Sequence, residues 1–277
     1  MSERPTAGPT ARAQTLLQAL AAEDPDSGAP QPGLTLVGVG PGDPELLTLA
    51  ALRAIAAATV VAYPVARPDA EGMAARIAAP WIRDGQRRLP LLFPMVAEAD
   101  PRRQAWAEAA DRLAQAVTAA DRVVLLCEGD SSLYASCSYA LLALAERHPR
   151  CPVRVIPGIT AVAAAAAAAS SRGLPWPLAL QGDALLIRPT PETAEELDSL
   201  LSRCAHESTV LALLKLGRRW SWVRPLLEER GLLDRALFAQ RVGWSDQQLA
   251  PARRVAAGEQ PYFSLLLVRQ HWPAVLP

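Results

Sequence analysis

The sequence predicts an α/β fold made of two α/β domains. Apolar runs with β-branched residues alternate with segments whose apolar side chains recur at helical spacing. The first unit reads strand, loop, helix, strand, and this order favours a parallel sheet. A Gly/Pro/Trp-rich segment at 173–177 separates these elements from a second set. We therefore predict domains at 34–177 and 178–277, preceded by a mobile extension, residues 1–33, that is rich in Pro, Ala, Asp, Ser and Gly.

The elements follow in chain order. In the first domain we predict strands at 34–39, 59–62, 122–127 and 153–156, and helices at 44–57, 69–79, 102–119, 135–146 and 161–169. The proline-broken segment 89–95 is expected to be an edge strand or the wall of a cleft. In the second domain we predict strands at 184–188, 209–214, 237–242, 252–255 and 263–269, and helices at 193–204 and 222–229. Short connections between the last strands favour antiparallel pairing there.

Composition excludes several classes of function. The chain has 277 residues and a formal net charge of zero, so no global field holds it on nucleic acid or on an anionic membrane. Its four cysteines show neither metal-site spacing nor a disulfide pattern. The first residues do not show a basic region followed by an apolar region, so we expect no secretory leader, and no apolar run reaches the length of about 18 residues that a membrane span needs. We expect a cytoplasmic protein with no metal site, no nucleic-acid partner and no membrane partner.

Three predicted strands of the first domain end in loops that contain glycine. These loops are 38–43, 128–132 and 157–160. In a parallel α/β sheet the carboxyl ends of the strands face one way, and ligands bind in the crevice outside them. The three loops are therefore expected to converge on one small ligand.

The first loop, Gly38-Val39-Gly40-Pro41-Gly42-Asp43, does not have the pattern of a phosphate site. Its sixth position is Asp43 where the dinucleotide fingerprint has glycine, and no lysine follows at P-loop spacing. No G-x-S-x-G elbow is present either. What remains is a site of glycine turns, hydroxyl groups and the carboxylates Asp43 and Asp130, which suits a neutral or cationic ligand.

Together, three motifs resemble those of the tetrapyrrole (corrin/porphyrin) methylase family. They are the segments 36–49, 126–134 and 156–160, in that order. Within the family, Lys215-Leu216-Gly217-Arg218 and the closing segment 261–268 are most similar to the branch that methylates C20 of precorrin-2 or cobalt-factor II. The resemblance covers about 34–269.

The resemblance implies a homodimer of two-domain subunits that bind S-adenosylmethionine in a cleft between the domains, with the tetrapyrrole in the adjoining trough. Matched motif by motif, the residues implied for the cofactor are Pro41, Glu128, Gly129, Asp130, Leu133, Thr160, Ala161, Lys215, Leu216, Gly243 and Ser264. The residues implied to border the tetrapyrrole are Gly40, Pro41, Gly42 and Asp43.

Two departures from the family pattern stand out. Many members have proline where this chain has Ser131, and we expect the serine to leave the second loop less rigid. In the second domain, Gln240 stands where the branch usually has Glu, and Trp244 is bulky where the branch has a smaller residue. A degenerate tetrapyrrole- or cofactor-binding protein without turnover is therefore one alternative function. Another methylase of the family, acting on uroporphyrinogen III or a later precorrin, is a second alternative.

The implied reaction is direct displacement, in which C20 attacks the methyl group of the sulfonium. Loss of the C20 proton could use a base, for which Asp43, Asp130 and Glu128 are candidates by type, although each could instead bind the cofactor or its own loop. The substrate carries eight carboxylates, which arginine forks match bidentately. The candidates are Arg87, Arg88, Arg188, Arg218 and Arg219, with Arg188 and Arg218 preferred.

Overall fold

The computed structural model describes residues 32–96, 98–119, 121–206 and 208–272 and divides the chain into two compact units, Met1–Thr160 and Ala161–Pro277. The prediction for 1–33 falls almost wholly outside the described residues, apart from 32 and 33. The division comes earlier than the expected boundary after residue 177, because the helix that begins at Ala161 packs against a strand of the second unit.

The first unit contains a five-stranded parallel sheet in the order β3-β2-β4-β1-β5. Its strands are β1 Gly33–Gly38, β2 Val60–Val65, β3 Arg87–Leu92, β4 Arg122–Cys127 and β5 Val153–Ile156. Its helices are α1 Leu49–Ala57, α2 Met73–Ala78, α3 Ala99–Thr118 and α4 Ser136–Arg147. The prediction of a parallel sheet is confirmed, and the proline-containing β3 lies at an edge as expected, where a missing N–H costs least.

Alternate strand residues build the core of this unit. Leu36 and Leu125 pack with Leu113 of α3 and Leu144 of α4 in one buried cluster. The predicted helix 44–57 is interrupted: a 3₁₀ turn at Pro44–Leu46 precedes α1, which starts only after Thr48. The Thr48 hydroxyl accepts from the Ala51 N–H at 3.1 Å, so Thr48 begins a new helix where the pattern predicted a continuous one.

The second unit contains a mixed sheet in the order β6-β7-β10-β8-β9. The strands are β6 Ala184–Pro189, β7 Thr209–Leu214, β8 Ala236–Gln240, β9 Gln248–Pro251 and β10 Ser264–Val268. Its helices are α5 Ala161–Ser170, α6 Ala194–His206 and α7 Trp220–Glu229. Among the described strands of this sheet, β6 and β7 pair in parallel and the other pairs are antiparallel, as expected for the C-terminal strands.

The prediction of a strand at 252–255 is wrong. Residues Ala252–Arg254 form a 3₁₀ turn, and the strand lies just before them as β9. Pro251 ends the ladder with φ −50°, and the Val255 N–H then donates to the Ala252 carbonyl at 3.1 Å, which closes the turn. Among the described residues, the structure contains no helix with the length and apolar character of a membrane span.

Candidate functional site

The three glycine-containing loops of the first unit meet at the carboxyl edge of its sheet. They follow β1, β4 and β5, and β1 lies between the other two strands. The expected convergence of these loops is therefore confirmed. Parallel order is the reason, because all three strands run in the same direction and end at the same edge.

Backbone contacts lock the loops together. Gly40 and Gly129 exchange N–H···O bonds of 3.1 and 2.8 Å, which joins the first loop to the second. The first loop also packs directly on the third: a Cβ added to Gly38 would lie 2.5 Å from the Gly158 nitrogen. A Cβ added to Gly158 would lie 2.1 Å from the Gly129 carbonyl oxygen. Side chains at Gly38 or Gly158 would thus separate the loops.

Asp130 joins the second loop to the third. Its Oδ2 accepts from the Gly158 N–H at 2.8 Å, and its Oδ1 accepts from the Ser132 N–H at 2.8 Å. Burial raises the pKa of Asp130, but the hydrogen bonds from Ser132 and Gly158 outweigh burial and hold the pKa below its ordinary value. Asp130 is therefore an ionised clamp, and as a proton acceptor it is weak.

Asp43 is engaged in a similar way. Its Oδ1 accepts from the Glu45 N–H at 2.8 Å, so the side chain caps the 3₁₀ turn that Pro44 begins. Pro41 and Asp43 are partly exposed, whereas Gly42 is buried. The carboxylate thus holds the shape of the first loop. Of the residues expected to border the tetrapyrrole, the buried Gly40 and Gly42 offer backbone atoms only.

Glu128 differs from both aspartates. It follows β4 directly, and burial raises its pKa to about 7. Within the part of the chain that the structure describes, burial alone accounts for this rise, whereas hydrogen bonds lower the pKa of Asp130. The group therefore exchanges a proton near neutral pH, which makes it the best-poised acid or base of the three carboxyls.

Ser131 is held by hydrogen bonds to neighbouring elements. Its side chain is buried, and its hydroxyl donates to the Ile156 carbonyl of β5 at 2.9 Å. The Ser138 hydroxyl donates to the Ser131 carbonyl at 3.1 Å. The expectation of a less rigid loop stays a prediction, and these hydrogen bonds act against it by tying Ser131 to neighbouring elements.

The other predicted cofactor residues near these loops, Leu133, Thr160 and Ala161, differ in their local structure. Leu133 is half-buried, and the next residue, Tyr134, has φ 53°, which is rare for a side-chain-bearing residue. Thr160 ends the first unit, and Ala161 is the first residue of α5. Backbone strain of this kind concentrates at functional segments.

The second unit gathers its candidate residues at one end of its sheet. This end carries the last residues of β6, β7 and β8 and the first residue of β10. Ser264 organises it: its hydroxyl accepts from the Gly217 N–H at 3.0 Å and donates to the Pro261 carbonyl at 2.7 Å. The Leu216 N–H donates to the Ser264 carbonyl at 3.0 Å. The side chains of Ser264 and Leu216 are buried. A ligand at this end of the sheet would therefore contact backbone atoms or neighbouring residues rather than these two side chains.

The two turns at this end hold strained backbone. Lys215 has φ 57° and Arg241 has φ 47°, both in the left-handed region. Gly243, with φ 82°, donates its N–H to the Gln247 Oε1 at 2.8 Å. The Arg241 guanidinium lies 5.1 Å from the Trp244 ring centroid. Trp244, whose bulk departs from the family pattern, therefore packs within its own turn.

The structure separates the candidate arginines into two groups. Arg188 lies near the end of β6 and the exposed Arg218 follows β7, so both lie at the candidate end of the second sheet. Arg219 is there too, but it is paired with Glu192. Arg87 and Arg88 begin β3, at the amino edge opposite the loops, and Arg87 pairs with Asp121. The structure therefore does not bring Arg87 and Arg88 together with the loops, because parallel strands start at the opposite edge.

Sequence reasoning placed Gly158 and Ser131 in the converging loops but missed the contacts that they make there. Gly158 follows a proline and resembles an ordinary turn residue; only the pairing of β5 with β1 shows how close the loops come. Ser131 has a buried donor whose partner, Ile156, is 25 residues away in sequence. No local signal could have revealed either contact.

The donor set of the loops fits a cationic ligand. The segments 38–43, 128–134 and 157–160 contain no Lys, Arg or His, whereas they contain three carboxyls. A Cβ added to Gly129, at φ 65°, would meet no atom within 4 Å, so the loop surface is open there. A sulfonium or ammonium group is compatible with this surface, and a phosphate is disfavoured by charge.

Comparisons with known proteins agree with the geometry. The precorrin-2 C(20)-methyltransferase of Sinorhizobium sp. is 33% identical over 84% of this chain and 93% of its own. The cobalt-precorrin-2 C(20)-methyltransferase of Salmonella typhimurium is 27% identical over 86% and 97%, respectively. The cobalamin biosynthesis protein CobIJ of Mycobacterium tuberculosis is 34% identical over 84% of this chain, but the chain spans only 45% of CobIJ.

Solved structures share the fold. The methyltransferase CobJ aligns with TM-score 0.62 and 24% identity over 86% of this chain and 93% of its own. Uroporphyrin-III C-methyltransferase from Thermus thermophilus, in complex with S-adenyl homocysteine, aligns with TM-score 0.55 and 24% identity over 86% and 97%. Residues 33–255 match the family described as Tetrapyrrole (Corrin/Porphyrin) Methylases. With this match over most of its length, and with its three interlocked glycine loops, the chain belongs to the tetrapyrrole methylase family.

Proposed function

We propose that the protein uses S-adenosylmethionine to methylate C20 of precorrin-2, or of its cobalt-containing counterpart cobalt-factor II, in cobalamin biosynthesis. The loop cluster of the first unit carries this proposal: it has three carboxyls, no cationic side chain and an open surface at Gly129. Two relatives with C(20)-methyltransferase names, each matched over most of its length, support the position of methylation.

S-Adenosylmethionine supplies an electrophilic methyl group on a positively charged sulfur. The contribution of the protein is alignment and exclusion of water, so no strongly activated nucleophile is needed. In this proposal Asp130 fixes the loop that carries Gly129 and Leu133 against the third loop, and the Gly40–Gly129 bonds hold the loop that carries Pro41. Thr160 and Ala161 lie where α5 begins. Lys215, Leu216, Gly243 and Ser264 supply the second-unit contacts, largely through backbone groups.

Product analysis tests the proposal. Purified protein is incubated with precorrin-2 or cobalt-factor II and with ¹³C-methyl-labelled cofactor, and the product is examined by NMR. We expect one labelled methyl group, on C20. Label on another carbon would favour a different methylase of the family, and binding of both ligands without transfer would favour the non-catalytic alternative.

Arg188 and Arg218 are proposed to bind carboxylates of the tetrapyrrole. Neutralising either one, as Arg188→Gln or Arg218→Gln, should weaken tetrapyrrole binding about 10-fold or more, because one hydrogen bond to a charged group contributes about 1.5–3 kcal/mol. Cofactor affinity should stay unchanged. Fluorescence titration with the tetrapyrrole and calorimetry with the cofactor separate the two effects.

Arg87→Gln is the matched control, because Arg87 lies at the opposite edge of the first sheet and pairs with Asp121. Its tetrapyrrole affinity should equal that of the wild type. Equal losses of tetrapyrrole and cofactor affinity in the Arg188 and Arg218 variants would contradict their assignment.

A homodimer forms part of the proposal. The edge strands β5 and β6 expose apolar side chains: Val153 and Val155 on β5, and Leu185 and Leu186 on β6. Exposed apolar edge strands pair readily with other chains. Light scattering should give twice the chain mass of 29.6 kDa, and Val155→Lys should shift the protein toward the monomer. A wild-type monomer at all concentrations would exclude the dimer.

A further inference from the structure

Two exposed aromatic side chains lie at the candidate end of the second sheet. Tyr262 and Phe263 directly precede β10, and 47% of Tyr262 and 41% of Phe263 are exposed. Their rings lie edge to face, with centroids 5.3 Å apart and an angle of 83° between the ring planes. Both belong to the closing segment 261–268, of which the proposed cofactor set includes only Ser264. The pair therefore offers a flat ligand an apolar, aromatic surface beside the candidate residues.

The backbone that carries this aromatic pair is fixed. The Phe263 carbonyl accepts from the Arg241 N–H at 2.8 Å, and the Gln260 N–H donates to the Gly217 carbonyl at 3.3 Å. Gly217 also packs against the pair, since a Cβ added to it would lie 3.7 Å from the Tyr262 Cα. Rings that are exposed on a fixed backbone are pre-organised, so stacking a ligand on them costs little ordering entropy.

Net positive charge borders the pair. The exposed Arg218 directly follows Gly217, and Lys215 precedes the same turn. Arg188 lies at this end too, near the end of β6. Of the acidic residues described at this end, two are paired with arginines and the third is exposed: Glu192, Asp246 and Glu259. The first-unit loops, in contrast, have three carboxyls and no cationic side chain. An anionic ligand is therefore favoured at the second-unit surface.

We propose that Tyr262 and Phe263 form an aromatic platform on which the conjugated macrocycle of the tetrapyrrole stacks, an inference that rests on the proposed function. Arg218, one residue from the glycine that packs against Tyr262, binds a carboxylate of the same ligand. The platform thus selects a ligand that is both flat and anionic. S-Adenosylmethionine also has a flat ring, but it joins that ring to a positive sulfonium group, whereas the tetrapyrrole joins a conjugated ring to several carboxylates.

Absorbance titration with cobalt-factor II tests the platform in wild type, Tyr262→Ala, Phe263→Ala and Tyr262→Phe. Each alanine variant should bind the tetrapyrrole about 5-fold more weakly, because one stacked ring is lost. Tyr262→Phe keeps the ring and should stay within about 2-fold of the wild type. Cofactor affinity, measured by calorimetry, should be unchanged in all three variants. The matched control is Tyr139→Ala, which removes a tyrosine that is 51% exposed on α4 of the first unit and should leave tetrapyrrole affinity unchanged.

Circular dichroism in the absorption region of the macrocycle gives a signature of stacking. The band induced in bound cobalt-factor II should change in Tyr262→Ala and return in Tyr262→Phe. Wild-type tetrapyrrole affinity in both alanine variants, or a loss of cofactor affinity in place of tetrapyrrole affinity, would overturn the platform. Because the titrations need no turnover, a wild type that binds the tetrapyrrole without methylating it would overturn the proposed function alone. A folded wild type that binds no tetrapyrrole would overturn both.

Discussion

Gly158→Ala is expected to abolish cofactor binding. The new methyl group would lie 2.1 Å from the Gly129 carbonyl oxygen and 2.8 Å from the Gly38 carbonyl carbon, and both neighbours are backbone atoms. Relief of the clash requires the third loop to move away from the first two, which also breaks the Gly158 N–H bond to Asp130. We expect at least about a 100-fold loss of cofactor affinity, equivalent to about 3 kcal/mol, measured by calorimetry.

Gly85→Ala is the matched control. Gly85 lies in the same unit, and a Cβ there would meet no atom within 4 Å. This variant should bind the cofactor as the wild type does. If Gly158→Ala folds and keeps wild-type affinity, the close packing of the three loops is not what forms the site.

Asp130→Ala is expected to have the next largest effect. It removes the acceptor for the Gly158 and Ser132 N–H groups and so separates the second loop from the third. Hydrogen bonds to a charged group contribute about 1.5–3 kcal/mol each, and partial exposure reduces the sum, so we expect a loss of about 2–4 kcal/mol in unfolding free energy. Urea denaturation at pH 7 measures this loss.

The effect of Asp130 should depend on pH. Its pKa is lowered in the folded protein, so its stabilisation is fully present above the unfolded pKa of about 4 and decreases as pH falls through the folded value. The stability difference between wild type and Asp130→Ala should therefore shrink in acid. The control Asp100→Ala removes an exposed pair with Arg103 and an acidic residue from the first turn of α3, and it should cost less than about 1 kcal/mol. A pH-independent difference would show that Asp130 does not act as an ionised clamp.

The local sequence pattern predicted most strands and helices of the first unit. The spans of β4 and β5 match the predicted strands residue for residue, because apolar runs bounded by polar turns leave little freedom in register. The order of strand and helix was enough to predict that the loops after β1, β4 and β5 converge. The prediction for β9 was wrong because the strand ends at Pro251. The residues after it, 252–254, form a 3₁₀ turn where the sequence pattern predicted a strand.

The chemistry of the loops depended on long-range contacts that no local pattern contains. Judged by residue type alone, Asp43, Asp130 and Glu128 were equivalent candidates for a base. Their hydrogen bonds and burial separate them: Asp130 is bonded to a residue 28 positions away, while Glu128 is desolvated by the fold around it. Arg87 was a reasonable candidate by charge, but its place at the start of an edge strand puts it at the wrong end of the sheet.

Calorimetric titration with S-adenosylmethionine tests the central claim that the three-loop cluster of the first unit is a cofactor site. We expect one molecule bound per chain, with binding lost in Gly158→Ala and kept in Gly85→Ala. ATP, which offers the same adenosine moiety with phosphates in place of the sulfonium group, should not bind. Binding of ATP in preference to S-adenosylmethionine, or no binding of S-adenosylmethionine by the folded wild-type protein, would contradict the claim.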